Sequence, residues 1–191
     1  MGTRGTLRVY VNGELKIRQY NQWDSYPTGQ FKDICRFMSD KVLVEEFTQS
    51  LLNKKFAKPE DIKKIRMEGK HLSEEVTRAE AYIITLMNRD IGASIIPLIA
   101  GLPDLHNESE VIPDWTDVFE CEDSELGEEG NYVIHIECET SEFGGKYLKK
   151  DTEVRFKLSG EYWGVTREFD WDYVPTDDEI QKWEDDARKE D

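Results

Sequence analysis

A chain of 191 residues, 38% hydrophobic and 11% aromatic, is long enough to bury a core without disulfides or metals, and too rich in large apolar groups for wholesale disorder. Its net charge of −16 is uneven: residues 1–102 carry 16 basic and 13 acidic side chains, whereas residues 103–191 carry 9 and 28. An acidic half of that strength repels nucleic acid and anionic membrane, which excludes direct duplex DNA binding by that half, and it attracts basic surfaces.

Cys35, Cys121 and Cys138 are odd in number and widely spaced, as expected for free thiols in a reducing compartment. The longest apolar run, Ile95-Ile96-Pro97-Leu98-Ile99-Ala100, is too short to span a bilayer, and Met1-Gly2-Thr3-Arg4-Gly5 leads straight into a strand pattern with no signal-peptide character. Gly2 and Thr6 have the spacing of an acylation motif, but Arg4 and the immediate strand argue against it. The expected compartment is the cytoplasm, with no membrane partner.

In chain order, Leu7, Val9 and Val11 alternate, Asn12-Gly13 supplies a hairpin turn, and Leu15, Ile17 and Gln19 alternate against Lys16, Arg18 and Tyr20. A polar and aromatic turn follows, Tyr20-Asn21-Gln22-Trp23-Asp24-Ser25-Tyr26-Pro27-Thr28-Gly29-Gln30. Helical spacing then runs from Gln30 to Asp40 and from Val42 to Leu52. Pro59 and Ser73 mark two further helix starts, the second running to about Asp90, and a short apolar helix covers Ala93 to Ala100. Beyond a loop to Pro113 the character is β, with strands expected at Trp115–Glu122, Tyr132–Glu139, Thr152–Leu158 and Tyr162–Trp171. Thr176-Asp177-Asp178-Glu179 is a capping box opening an acidic helix whose apolar side is Ile180, Trp183 and Ala187.

The order ββ, helices, four strands, helix predicts an α+β fold: an N-terminal β-hairpin, central helices and C-terminal antiparallel strands. The hairpin is expected to join those strands in one sheet, mixed or wholly antiparallel, with helices packed on one face. Residues 1–110 would form the hairpin-plus-helices core carrying the site. Residues 111–191 would form an acidic β-rich region with the terminal helix, in the same globular domain; a two-lobe split near residue 110 is the alternative.

Phosphate-binding glycine loops, paired CxxC motifs, HExxH and GxSxG are missing from the sequence. His135, Glu137 and Glu139 share a strand face and have cation-binding chemistry, although such a face is more often simply solvated. The turn is the stronger candidate. Asp24 lies between an aromatic and a hydroxyl just before a helix, where a carboxylate serves as general base, metal ligand or cap. Tyr20, Gln22, Trp23 and Tyr26 around it offer amide and stacking contacts to a base or sugar, or plug the edge of the core. Arg4, between Gly2 and Gly5, is a natural partner for Asp24, and Arg89-Asp90 supplies a second polar pair at a helix end. Convergence of Arg4, Asp24, Arg89 and Asp90 as catalytic residues would suit a phosphate ester, with or without a divalent cation; the cofactor is otherwise undetermined. The plainer reading is a buried structural turn.

The segments Met1-Gly2-Thr3-Arg4-Gly5, Asn12-Gly13, Gln19 to Gln30 and Asn88-Arg89-Asp90-Ile91-Gly92-Ala93 recur together and in order. In this they resemble an uncharacterised family of bacterial and phage proteins, with looser relatives in fungi. That family opens on Gly-Thr-Arg-Gly and carries Gln-Trp-Asp-(Gly or Ser)-Tyr-Pro after a hairpin; this chain has Ser25 at the variable position. The resemblance covers about the first 100 residues. It implies that Arg4, Asp24, Tyr26, Arg89 and Asp90 form a shared feature, and it implies no activity. By a looser analogy of size and acidity, the chain is similar to phage and mobile-element anti-defence proteins, including inhibitors of CRISPR nucleases. The function expected is inhibition of such a nuclease, or of its guide RNA complex, by acidic docking on a basic protein surface in the host cytoplasm. Its own action on nucleic acid would be an addition to that role. A cytosolic hydrolase or nuclease using Arg4, Asp24, Arg89 and Asp90, and a non-catalytic acidic interaction domain, are the alternatives.

Overall fold

The structure, a computed structural model, describes residues 3–52, 55–56, 92–100, 111–112, 129–141 and 147–189. The helices expected from Pro59 and Ser73 and the strand at Trp115–Glu122 lie outside the described residues. Strands β1 (Gly5–Val11) and β2 (Glu14–Asn21) form the hairpin. A single turn of π-helix over Pro27–Phe31 runs into α1 (Lys32–Met38), so Gln30 precedes the α-helix in which the sequence spacing had put it. Helix α2 (Lys41–Leu52) follows, started by Asp40, whose carboxylate accepts the Val42 and Leu43 N–H groups.

The two-residue strands β3 (Lys55–Phe56) and β4 (Val111–Ile112) pair in parallel. A 3-10 turn at Gly92–Ser94 leads to α3 (Ile95–Ala100), as the apolar run predicts. Strands β5 (Gly130–Glu137), β6 (Arg155–Tyr162) and β7 (Val165–Glu168) and helix α4 (Asp177–Ala187) complete the described elements. The main sheet is mixed, in the order β2-β1-β5-β6-β7. The hairpin joins the C-terminal strands through a parallel pair, β1 with β5, which settles the choice against a wholly antiparallel sheet.

Asn12 serves twice in this topology. With φ of 50° beside Gly13 at 81° it makes the turn, and its side-chain amide exchanges two 3.0 Å hydrogen bonds with the Cys138 backbone. The amide thus imitates one more rung of the β1–β5 ladder. The expected alternation of β2 is broken by a bulge: Tyr10 lies opposite Leu15, yet Val9 lies opposite Ile17. The extra residue, Lys16, moves Leu15 to the face of Tyr10, while Ile17 and Gln19 stay on the core face with Val9 and Leu7. The last hairpin also differs from the sequence reading, which ended a strand before Ser159-Gly160. The strand continues through both, and the turn is Trp163-Gly164, with φ of 47° and 79°.

Gly160 has a packing reason to sit inside a strand. A Cβ there would lie 2.7 Å from both Trp183 Cη2 and Tyr132 Cδ1. Trp183 and Phe31 meet edge to face, with ring centroids 5.2 Å apart, and Tyr132 and Phe169 complete the aromatic centre of the core. Trp183 Nε1 donates to the Val165 carbonyl at 3.0 Å, so the buried indole is satisfied. The described helices bury their apolar residues in this same cluster, on the sheet face that carries Leu7, Val9, Ile134, Ile136 and Leu158. Cys35 and Cys138 are free thiols, and burial pushes Cys35 up to about 12. Among the described residues no helix is long and apolar enough to cross a membrane.

The capping box of α4 forms as read: Thr176 accepts from Glu179 N–H, and Glu179 accepts from Thr176 N–H and hydroxyl. The Thr176 N–H first, then its hydroxyl and the Tyr173 phenol, hold Glu179 below the usual carboxylate range. A lowered native pKa stabilises the fold above the unfolded-state value, and that stabilisation is lost as pH falls through the native one. The stability difference between the native chain and Glu179→Gln, followed by urea unfolding, should therefore shrink as pH drops below about 4. In the same assay Gly160→Ala is expected to cost about 1–3 kcal/mol at neutral pH, because its methyl meets two rings that have no room to retreat.

Candidate functional site

The polar-aromatic turn sits at the end of the sheet where β1 and β5 begin and β2 and β6 finish. Three backbones meet there almost without side chains between them. A Cβ on Gly5 would fall 1.8 Å from the Gly130 carbonyl oxygen and 2.7 Å from Ser25 Cβ, and one on Gly130 would fall 1.9 Å from the Ser25 oxygen. Ser25 is buried at the centre: its N–H donates to the Thr3 carbonyl, its carbonyl accepts the Tyr132 hydroxyl at 2.8 Å, and its Oγ accepts from Asn21 Nδ2 at 2.9 Å. The Arg4 carbonyl accepts both Glu129 N–H and Gly130 N–H, and the Glu129 carbonyl accepts Trp163 N–H. Arg4, the Gln22–Asp24 stretch, Glu129 and Trp163 are thereby assembled on one rim.

Of the residues expected at the site, Arg4 and Asp24 are exposed on this rim, while Arg89 and Asp90 lie outside the described residues. Gly92-Ala93, which follow them in the chain, are held against the turn: Ala93 N–H donates to Gln30 Oε1 at 2.5 Å. Trp23 is 54% exposed and Tyr26 and Gln22 are half-buried. Tyr20 is placed differently: it is buried within β2 opposite Thr6, on the sheet face away from Leu7 and Ile17. Trp163, 40% exposed and stacked on Tyr162, adds a second rim indole.

Asp24 adopts φ of 58°, a left-handed conformation that Asp tolerates better than most residues. Its carbonyl accepts Gln30 N–H at 3.1 Å, so the strained residue also ties down the π-helical turn. Burial and then the adjacent Asp24 carboxylate hold the Tyr26 phenol above its ordinary pKa. The arrangement pairs an exposed carboxylate with a phenol that keeps its proton, beside two indoles and an arginine. Its chemistry combines hydrogen-bonding groups with flat apolar surface.

Glu184 is a buried residue of the site that sequence reading missed. Its Oε2 accepts Thr28 N–H at 3.0 Å and the Thr28 hydroxyl at 2.6 Å, and its Oε1 takes Arg188 Nη2 at 2.5 Å. The signal was present: Glu184 falls with Ile180, Trp183 and Ala187 at i, i+3, i+4 and i+7 on the buried stripe of α4, a position a lone carboxylate occupies only with partners. The cation site considered on β5 does not form. His135 stacks on Tyr10, ring centroids 5.0 Å apart, Glu139 pairs with Lys149 at 2.6 Å, and no group of three potential ligands is arranged for a metal among the described residues.

Fold and rim together define an α+β protein with a five-stranded mixed sheet and a polar-aromatic rim at one end of it. In comparison with known proteins, the chain matches no family model, no curated protein and no solved structure.

Asp24→Asn is expected to lower the Tyr26 pKa while leaving it above the ordinary value, since burial remains, as read from the tyrosine Cζ shift in carbon NMR. Thr28→Val, which deletes a hydroxyl bound to a buried carboxylate, should cost about 2 kcal/mol in urea unfolding.

Proposed function

We propose that this chain is an acidic docking protein that inhibits a partner built to hold nucleic acid. In its most specific form it is a phage or mobile-element anti-defence protein acting on a CRISPR-type nuclease or its guide RNA complex. The observation that carries the reading is the charge split, 28 acidic against 9 basic residues in positions 103–191 beside a nearly balanced first half. Helix α4 supports it by presenting Asp177, Asp178, Glu179 and Asp185 to solvent while Ile180, Trp183 and Ala187 are buried beneath. Carboxylates held on a docked helix lose little freedom on binding, and opposite charge accelerates encounter with a basic cleft.

The test is co-purification with a Cas nuclease–guide complex at low and high salt, together with target cleavage. The expected result is a salt-sensitive complex and slowed cleavage, both weakened by Asp178→Lys/Asp185→Lys. Absence of a salt-sensitive complex with unimpaired cleavage would overturn the reading.

A second reading, a hydrolase or nuclease, draws on the exposed left-handed Asp24 beside Tyr26 and on the same rim as Arg4. There Asp24 would act as general base or cation ligand and Arg4 would hold a phosphate, with Arg89 and Asp90 completing the set. A nuclease and phosphoesterase screen with and without divalent cations should then show turnover that Asp24→Ala abolishes. Equal activity in the two proteins, or none in either, removes it.

A further inference from the structure

A cleft of about 310 Å³ opens between α1, α2, β6 and the 172–174 segment. Its floor is apolar, made by Met38, Val44, Val154, Phe156 and Val174. Its mouth is charged, with Lys41 against Glu45, Glu153 and Asp172. This volume lies at the small end of ligand pockets, a size for one or two side chains rather than a large cofactor.

The walls are set before anything binds. Asp172 Oδ1 accepts Phe156 N–H at 2.9 Å, Oδ2 accepts Arg155 Nε–H at 3.1 Å, and Asp172 N–H donates to the Phe156 carbonyl at 2.7 Å. On the opposite wall Asp40 caps α2, and Lys41, Val44 and Glu45 recur at helical spacing toward the opening. Asp172 is neutralised by Arg155, but Glu45 and Glu153 are exposed and make no ion pair among the described residues. They outnumber Lys41 at the mouth of an apolar hole, on a chain of net charge −16.

We propose that this cleft is the anchor site for a basic peptide segment of a partner protein. An apolar side chain of the segment enters over Val154 and Phe156, and the lysines or arginines flanking it meet Glu45 and Glu153. The apolar floor would hold the anchor and the carboxylates would choose the flanks, the usual division between an interface core and its rim. The inference rests on the docking reading above and names the place where such a partner is gripped.

The test uses the full chain and two fluorescein-labelled peptides, Lys-Lys-Leu-Phe-Lys-Lys and Lys-Lys-Ala-Ala-Lys-Lys, in fluorescence anisotropy. The Leu-Phe peptide is expected to bind about tenfold tighter than the Ala-Ala peptide. Glu45→Lys/Glu153→Lys should remove that preference, and Asp178→Lys/Asp185→Lys on α4 should leave it. Val154→Trp, which fills the cleft, should also abolish it; the exposed charge variants carry the test if the tryptophan variant fails to fold. Equal binding of the two peptides, no binding of either, or a preference that survives reversal at Glu45 and Glu153 overturns the cleft assignment. Equal binding weakened by the α4 reversal sinks the cleft alone and leaves the docking reading standing. A cleft-dependent preference alongside a failed nuclease pull-down keeps the cleft and removes the nuclease as partner.

Discussion

The rest of this molecule depends on the backbone approach of Gly5, Ser25 and Gly130. A methyl group at Gly5 or Gly130 would overlap a carbonyl oxygen, at 1.8 and 1.9 Å, so the three chains touch only because two of them lack a side chain there. That contact starts the parallel pairing of β1 with β5, which joins residues more than 120 positions apart. It also seats the turn after β2 on the end of the sheet, where Tyr132 reaches across to the Ser25 carbonyl. Parallel pairs need long crossovers and form late, so an accurate local fit at this point fixes a register that no short turn enforces.

The turn is best understood as a hub whose residues divide the labour. Ser25 binds the strands, Thr28 binds Glu184 of α4, and Gln30 binds Ala93 ahead of α3. Each of these bonds ties a short polar side chain or backbone group to an element distant in sequence. Once these residues are committed inward, the side chains left facing out are those of Trp23 and Asp24, with Tyr26 between the two environments. Structural and exposed roles therefore alternate within a few residues. Density of polar and aromatic chemistry in a sequence marks such a hub without saying which members serve the fold.

Much of the fold was legible because its signals are local. Asn12-Gly13 forms its hairpin turn, the Thr176–Glu179 box caps its helix, and Tyr132, Ile134 and Ile136 line the core as their alternation implies. The bulge at Lys16 was not legible, since a charged residue in an alternating pattern reads as the solvent face. Nor was the strand character of Ser159-Gly160, because a glycine reads as a turn unless the rings of Trp183 and Tyr132 that require it are known. At the site, Arg4 and Asp24 are exposed, a point on which the sequence was silent, while Tyr20 is buried in β2 and Glu184 was overlooked.

By itself the sequence determined the type of the longer described strands and helices, the Thr176 cap of α4, the α+β class and the gathering of acidic charge in residues 103–191, all of which depend on neighbours within a few positions or on composition alone. Only the tertiary structure decided that β1 runs parallel to β5, that Glu184 is buried against Thr28 and Arg188, and which turn residues face solvent. Those outcomes depend on steric fit and hydrogen-bond satisfaction between segments far apart in the chain, and no local pattern encodes the partner on the other side of such a contact.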